Sequence, residues 1–257
     1  MRALGVIPAR FGSSRFPGKP LAVLGGRPLV AHVVSRAREA ASLDRVVVAT
    51  DDRRIADAAE AAGAEARMTP ADLPSGSDRA AWTAARLAGE GAEFDVVVNV
   101  QGDEPFVPGV AIDRAVAALA ENSGAKIATL ARPLDEGEFL RPDVVKVVLD
   151  GRARALYFSR AAIPHPRSRA GFEPLQHVGL YVFRWAYLKR FVKLPVSPLE
   201  RVEGLEQLRA LEDGAKIQVV VGGWPALGID TPEDLARAER RLARAARGGW
   251  QPREENA

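Results

Sequence analysis

Short β-branched runs alternate with stretches of helical spacing through the first half of this chain. Leu4, Val6 and Ile7 open it as a buried strand. Val46–Thr50 and Asp95–Val100 repeat that signature, which belongs to parallel strands covered on both faces. Between them, apolar residues fall at helical intervals over 28–41, over Asp51–Ala62 (closed by Gly63), over Arg79–Leu87 and over Pro108–Glu121. Glu65–Met68 reads as a short strand, and Thr69–Asp78, rich in Pro, Gly, Ser and Asp, reads as a loop. Repeated βα units of this length predict an α/β fold, a Rossmann-like doubly wound and mostly parallel sheet with right-handed crossovers. Ligands of such sheets bind outside the carboxyl ends of the strands.

The pattern changes after about residue 125. Lys126–Arg132, Val144–Leu149, Ala153–Ser159 and His177–Phe183 read as strands joined without long helices, so this region is predicted to be partly antiparallel. Pro164–Pro174 is a polar, Pro-containing loop, Pro198–Glu212 a helix closed by Gly214, and Ile217–Val221 a last strand. Thr231 and Pro232 start the final helix as N-cap and first residue. The division that follows is one domain over 1–247, with a smaller lobe at 126–195. A polar tail at 248–257 is expected to be disordered.

Composition narrows the chemistry. A chain of 257 residues can bury a substantial core, and no apolar run approaches the ~20 residues that span a bilayer. Pro8 and Arg10 interrupt the N-terminal apolar run, so no secretory signal peptide is expected. The absence of cysteine excludes disulfides, thiolate metal sites and cysteine nucleophiles, and fits a cytoplasmic protein. A net charge of +3 argues against a polybasic nucleic-acid surface. The densest basic stretch, Arg237–Arg247, reads as the solvated face of the last helix, with Leu235 and Leu242 on its other side. Neither nucleic acid nor membrane is an expected partner. Nothing in the sequence brings the three histidines together as a metal site, and His32 and His165 have no assigned role.

The segment from Ile7 to Pro20, IPARFGSSRFPGKP, carries the sharpest signal. It leaves the first strand as a small-residue loop whose backbone N–H groups can approach phosphate, over Ala9, Arg10, Gly12, Ser13 and Ser14. Arg10, Arg15 and Lys19 add cationic charge to it. It is no Walker A loop: five residues separate Gly12 from Gly18, and Lys19 is followed by Pro20 rather than by Ser or Thr. A GxGxxG dinucleotide fingerprint is also absent.

Two acidic elements accompany the loop. Gln101-Gly102-Asp103-Glu104-Pro105 follows the strand Val96–Val100, where a carboxylate facing phosphate is a natural Mg²⁺ ligand. The spacing does not choose between Asp103 and Glu104, and a turn in which Asp103 caps the next helix competes with both. In Gly228-Ile229-Asp230-Thr231-Pro232, Thr231 suffices as the cap, which leaves Asp230 free to reach a metal. Leu73-Pro74-Ser75-Gly76-Ser77-Asp78-Arg79 is either a plain N-cap loop or a reader of a base edge.

Taken together, PARFGSSRFPGKPL, PSGSDR, VNVQGDEP, LYFSR, LEQLR and GIDTPEDL resemble the sugar nucleotidyltransferases, and among them the CMP-Kdo synthetases, over residues 3–242. Ser77 in place of Thr, and Phe at 11 and 16, are mild departures. The resemblance implies transfer of a cytidylyl group from CTP to Kdo, an acidic eight-carbon sugar, with Mg²⁺ held by Asp103 and Asp230. It implies Arg10 and Lys19 as further catalytic groups and Ser75 and Gly76 at the base. Arg160, His177, Glu206 and Gln207, with Gln101 and Tyr181, are implied at the sugar. It also implies a homodimer in the cytoplasm, with the 126–195 lobe serving sugar binding and dimerisation, supplying lipopolysaccharide synthesis. The alternatives are the same chemistry on 8-amino-Kdo or a sialic acid-like sugar, and a nucleotide-binding protein without turnover.

Overall fold

The computed structural model describes residues 1–13, 15–134, 136–168, 171–225 and 227–246. Ser14 and the polar tail at 248–257 lie outside the described residues. β1 (Ala3–Ala9), β4 (Arg45–Thr50), β5 (Glu65–Met68) and β6 (Val96–Val100) form a parallel block in the order β5-β4-β1-β6. Beyond β6 the same sheet continues with β10 (Leu175–Arg184), β7 (Ala125–Pro133) and β11 (Lys216–Val221). Only β10 in that row runs against its neighbours, because it pairs antiparallel with both β6 and β7 while β11 lies parallel to β7. β2 (Val23–Leu24) and β3 (Arg27–Pro28) form a small separate hairpin that the hydrophobic pattern does not announce.

Strand alternation sends successive side chains to opposite faces, and each face has its own core. On one face, α1 (Leu29–Arg38), α2 (Arg53–Ala61) and α4 (Gly109–Glu121) pack on Ile7, Val48, Val96 and Val98. On the other, α3 (Gly76–Gly89), α5 (Trp185–Phe191) and α7 (Gln207–Glu212) pack on Leu4, Val6, Val97 and Phe183. This is the expected doubly wound arrangement. α8 (Pro232–Ala246) lays Leu235, Ala238 and Leu242 on Leu24, Leu29 and Phe106.

The antiparallel lobe grows from one end of β10. Leu175 and Gln176 pair with β8 (Lys146–Leu149), and β8 pairs with β9 (Ala155–Ser159). From Leu180 onward the same edge of β10 pairs with β6 instead. The register breaks between Val178 and Tyr181, so the sheet splits at Gly179. A Cβ on Gly179 would lie 3.4 Å from Gln101 and 3.7 Å from Glu104, so glycine lets the loop after β6 enter the split.

Among the boundaries that differ from the sequence reading, two bear on the site. The helix expected over Pro198–Glu212 is two helices, α6 (Pro198–Glu203) and α7, because Gly204 takes a left-handed conformation (φ +64°) and ends the first. Its N–H donates to the Glu200 carbonyl at 2.7 Å. α3 starts at Gly76 rather than Arg79, with Ser75 as the cap that accepts from the Asp78 N–H.

Candidate active site

The carboxyl ends of β1 and β6 deliver two loops to one place. The loop after β1 is anchored by the Phe11 N–H donating to Asp51 at 3.0 Å and by the Gly18 N–H donating to the Phe11 carbonyl at 3.0 Å. Gly18 is left-handed (φ +71°), with the Phe11 ring 3.2 Å from where a Cβ would stand. That turn aims Lys19 inward. The loop after β6 crosses β1 so closely that a Cβ on Gly102 would lie 2.7 Å from the Pro8 carbonyl oxygen. Asp103 accepts from the Ile229 N–H through its backbone carbonyl at 2.9 Å, which brings Asp230 alongside.

At the meeting point Lys19 Nζ donates to Asp103 Oδ2 at 2.8 Å and to Asp230 Oδ1 at 3.0 Å. Arg15 pairs with the other oxygen of Asp230 at 3.0 Å. Burial pulls the Lys19 ammonium toward deprotonation, but the two carboxylates outweigh it and hold its pKa above the ordinary value. Asp103 does not cap a helix, since α4 begins at Gly109 behind Pro108. Thr231 caps α8 as expected: its hydroxyl accepts from the Asp234 N–H, while the Asp234 carboxylate accepts from the N–H groups of Asp230 and Thr231.

Glu104 is the neighbouring acid that spacing alone could not separate from Asp103. Its pKa is pushed up to about 8, by burial first and then by the negative charges of Asp103 and Asp230. The pair with two converging carboxylates is Asp103 and Asp230. Among the described residues no group of three or more His, Cys, Asp or Glu could hold a metal. Two carboxylates do fit Mg²⁺, which takes its remaining ligands from phosphate and water.

Two cavities open from this point. The smaller, about 220 Å³, is lined by Ala9, Arg10, Ser13, Lys19, Ser75 and Gly76. The N-terminus of α3 faces it, a position favourable to anions. Gly12 is exposed and lies outside its lining. Arg79, which the sequence reading left without a role, also lines it, tied to Thr69 and to the Pro70 carbonyl. The larger cavity, about 590 Å³, is lined by Gln101, Arg160, His177, Tyr181, Glu206 and Gln207. Arg15, Gly76, Gln101, Asp103 and Asp230 belong to both. The acid pair therefore stands where one cavity joins the other.

Side chains of the larger cavity are held in defined states. The Thr129 hydroxyl donates to the Leu180 carbonyl at 2.6 Å, so the His177 Nε2–H must donate to Thr129 Oγ1 at 2.9 Å. Burial drives the His177 pKa down to about 3, so the ring is neutral and offers Nδ1 as an acceptor. It is no cation for a sugar carboxylate; the arginines that line this cavity, Arg160 among them with Arg132, Arg141 and Arg237, are. The Tyr181 hydroxyl donates to Gln207 Oε1 at 3.0 Å, which turns the Gln207 amide nitrogen away from it. Glu206 accepts from the Ser77 hydroxyl at 2.5 Å, and its pKa is raised by burial despite that bond.

Several buried polar atoms in this cavity have no hydrogen-bond partner among the described residues: Gln207 Nε2, Arg132 Nε, Gln176 Oε1 and Glu104 Oε2. Folded proteins leave few such groups unpaired. Arg132 and Gln176 were not singled out from sequence. They stand opposite each other on β7 and β10, a pairing only the sheet register reveals.

Residues 4–217 match the cytidylyltransferase family model. A 3-deoxy-manno-octulosonate cytidylyltransferase of Anaeromyxobacter sp. (strain Fw109-5) is 54% identical over 249 residues, covering 96% of this chain and 99% of that one. Another, from Syntrophotalea carbinolica, is 50% identical over 252 residues, covering 94% and 99%. A solved structure of CMP:2-keto-3-deoxy-manno-octonic acid synthetase in complex with CTP superposes with a TM-score of 0.88 at 38% identity, over 95% of this chain and all of that one. The chain belongs to the cytidylyltransferase family, among the 3-deoxy-manno-octulosonate cytidylyltransferases.

Proposed function

We propose that this enzyme joins CTP to Kdo, with the triphosphate in the smaller cavity and the sugar in the larger. The observation that carries the reading is the shared boundary: Asp103 and Asp230 border both cavities, so a phosphorus from one side and a hydroxyl from the other can meet there. The anomeric 2-hydroxyl of Kdo attacks the α-phosphorus of CTP. A new P–O bond to the sugar forms, the bond to the β-phosphate oxygen breaks, pyrophosphate leaves, and the hydroxyl proton is released. Mg²⁺, when bound at Asp103 and Asp230, supplies charge neutralisation for the phosphates and acidifies the attacking hydroxyl.

The rest of the work falls to the chain's own groups. Arg10, Arg15 and Lys19 line the triphosphate cavity with positive charge, which stabilises charge gathering on the leaving pyrophosphate. Ser75 and Gly76 present the start of α3 to the nucleotide. The Arg160 guanidinium is the partner for the sugar carboxylate. Gln207 Nε2 and Gln176 Oε1, buried and unpaired, are suited to sugar hydroxyls.

The same reading places the enzyme in the cytoplasm, supplying activated sugar for lipopolysaccharide. No helix of the described residues is long and apolar enough to cross a membrane. The reading also makes the enzyme a homodimer through the lobe side. Exposed Leu156 on β9 and Val202 on α6, which the Ser159–Glu203 hydrogen bond joins, support it.

The test is pyrophosphate release with CTP and Mg²⁺, with and without Kdo, beside 8-amino-Kdo and sialic acid. Release that needs both CTP and Kdo is expected. Release with another acid sugar alone would change the acceptor and keep the chemistry. Binding of CTP without release on any sugar would overturn the transferase reading.

A further inference from the structure

Lys146 is fully buried on β8, and no carboxylate lies within ion-pair distance of it among the described residues. Its ammonium instead donates to three backbone carbonyls, those of Arg141 at 2.8 Å, Val144 at 2.6 Å and Arg160 at 2.6 Å. All three N–H donors are used. Burying an ammonium costs several kcal/mol unless every donor is satisfied, so a methionine or leucine would fill this space at lower cost if filling were the whole purpose. What an apolar side chain cannot do is tie three carbonyls to one point.

Those carbonyls belong to segments far apart in sequence. One is the turn at 141–144 entering β8, and the other is Arg160, just past β9. Both segments line the larger cavity. Arg160 is held on every side: its N–H donates to Glu203 Oε2 at 2.9 Å, its Nε to the Glu203 carbonyl at 2.8 Å, and its Nη1 to the Pro142 carbonyl at 3.1 Å. Its own carbonyl accepts from Lys146. Pro142 lies inside the turn that Lys146 also ties. Lys146 thus controls both the backbone that carries the Arg160 guanidinium and a carbonyl that orients it.

We infer that Lys146 is a positioning residue for the acidic sugar, locking Arg160 and the 141–144 turn into one wall of the cavity. The inference rests on the proposed reading of Arg160 as the partner of the sugar carboxylate. A misplacement near 1 Å of a binding group can cost as much as about 10²-fold in rate.

The experiment is a double-substitution cycle in steady-state kinetics with Lys146→Met, Arg160→Ala and the pair together. Lys146→Met is expected to lower kcat/KM for Kdo by about 10- to 100-fold while the KM for CTP stays within about twofold. In the Arg160→Ala background the same substitution is expected to change kcat/KM for Kdo by no more than about twofold, because residues acting through one group are not additive. Equal losses for CTP and Kdo, or an undiminished effect in that background, would overturn the inference. If Arg160→Ala leaves the KM for Kdo unchanged, the carboxylate reading itself fails. If Arg160→Ala is selective and Lys146→Met is silent, only the role of Lys146 fails. Lys146→Gln, which keeps two donors without the charge, gives the same comparison should Lys146→Met not fold. Loss of folding in both would make Lys146 a folding residue and overturn the assignment.

Discussion

Replacing Lys19 by methionine would keep its stem and remove the ammonium that stands between Asp103 and Asp230. Hydrogen bonds to charged groups contribute about 1.5–3 kcal/mol each when shielded. Asp103 is 29% exposed and Asp230 40% exposed, so solvent screens the second bond and the pair together is worth about 2–3 kcal/mol. For a chain of this size each kcal/mol shifts Tm by roughly 2–4 °C, so the unliganded variant should melt about 4–12 °C lower. Thermal unfolding with and without Mg²⁺ reads the second consequence. A divalent cation no longer competes with an ammonium for the two carboxylates, so Mg²⁺ alone should raise the Tm of Lys19→Met more than that of the native protein. Turnover should move the opposite way, falling about 10²–10³-fold for loss of one preorganised donor. Native turnover in Lys19→Met, or an identical Mg²⁺ response in both proteins, would refute the placement of Lys19 at the metal and phosphate site.

Three further outcomes follow from the geometry. Asp103→Asn should raise the Mg²⁺ concentration needed for half-maximal pyrophosphate release by about tenfold or more, a loss of about 1.4 kcal/mol or more, and an unchanged Mg²⁺ titration would move the ligand elsewhere. His177 should remain neutral, with its proton on Nε2, down to about pH 4 by ¹⁵N NMR of the ring, since its pKa lies near 3 in the folded protein. The unfolded chain binds that proton first, so this histidine's contribution to stability is complete above pH 6.5 and declines as pH falls from 6.5 toward 3; midpoint protonation near 6.5 in the native protein would contradict it. Gly102→Ala should destabilise by about 1–3 kcal/mol in denaturant unfolding and lower turnover with it, because the added methyl meets backbone oxygen, and an unchanged midpoint would mean the β6 loop has room to move.

Much of this architecture was legible because each local pattern had one reading. The β-branched runs at 46–50 and 95–100 are strands buried on both faces, and Thr231 with Pro232 starts a helix wherever it stands. The direction and place of β10 were not legible, since a strand buried between neighbours carries the same residues whether it runs with them or against them. Gly204 sits in a continuous helical spacing of Leu199, Val202, Leu205 and Leu208. Only its left-handed backbone shows that the helix ends there and restarts with Glu206 at the cap of α7.

The candidate site divides in the same way. Lys19, Asp103 and Asp230 come from three distant segments yet touch, and the motifs that carry them were readable one by one. Ser75 and Gly76 line the smaller cavity and Ser75 caps α3, so the plain N-cap reading of that loop describes its structure, while reading of a base edge belongs to the proposed function. Lys146 was not legible. A lysine between valines on a strand reads as a solvent-facing residue, and nothing local says that a turn and a second strand close over it. Arg132 and Gln176 escaped for a related reason, because their meeting depends on the register of β7 against β10.

The claim that nucleotide and sugar meet at Asp103 and Asp230 is tested most directly by following the α-phosphate. With [α-³²P]CTP, Kdo and Mg²⁺, the account predicts that label leaves CTP and appears in a CMP ester of Kdo, one equivalent for each pyrophosphate released. Label appearing only as free CMP, or remaining in CTP while the protein stays folded and binds nucleotide, would contradict it.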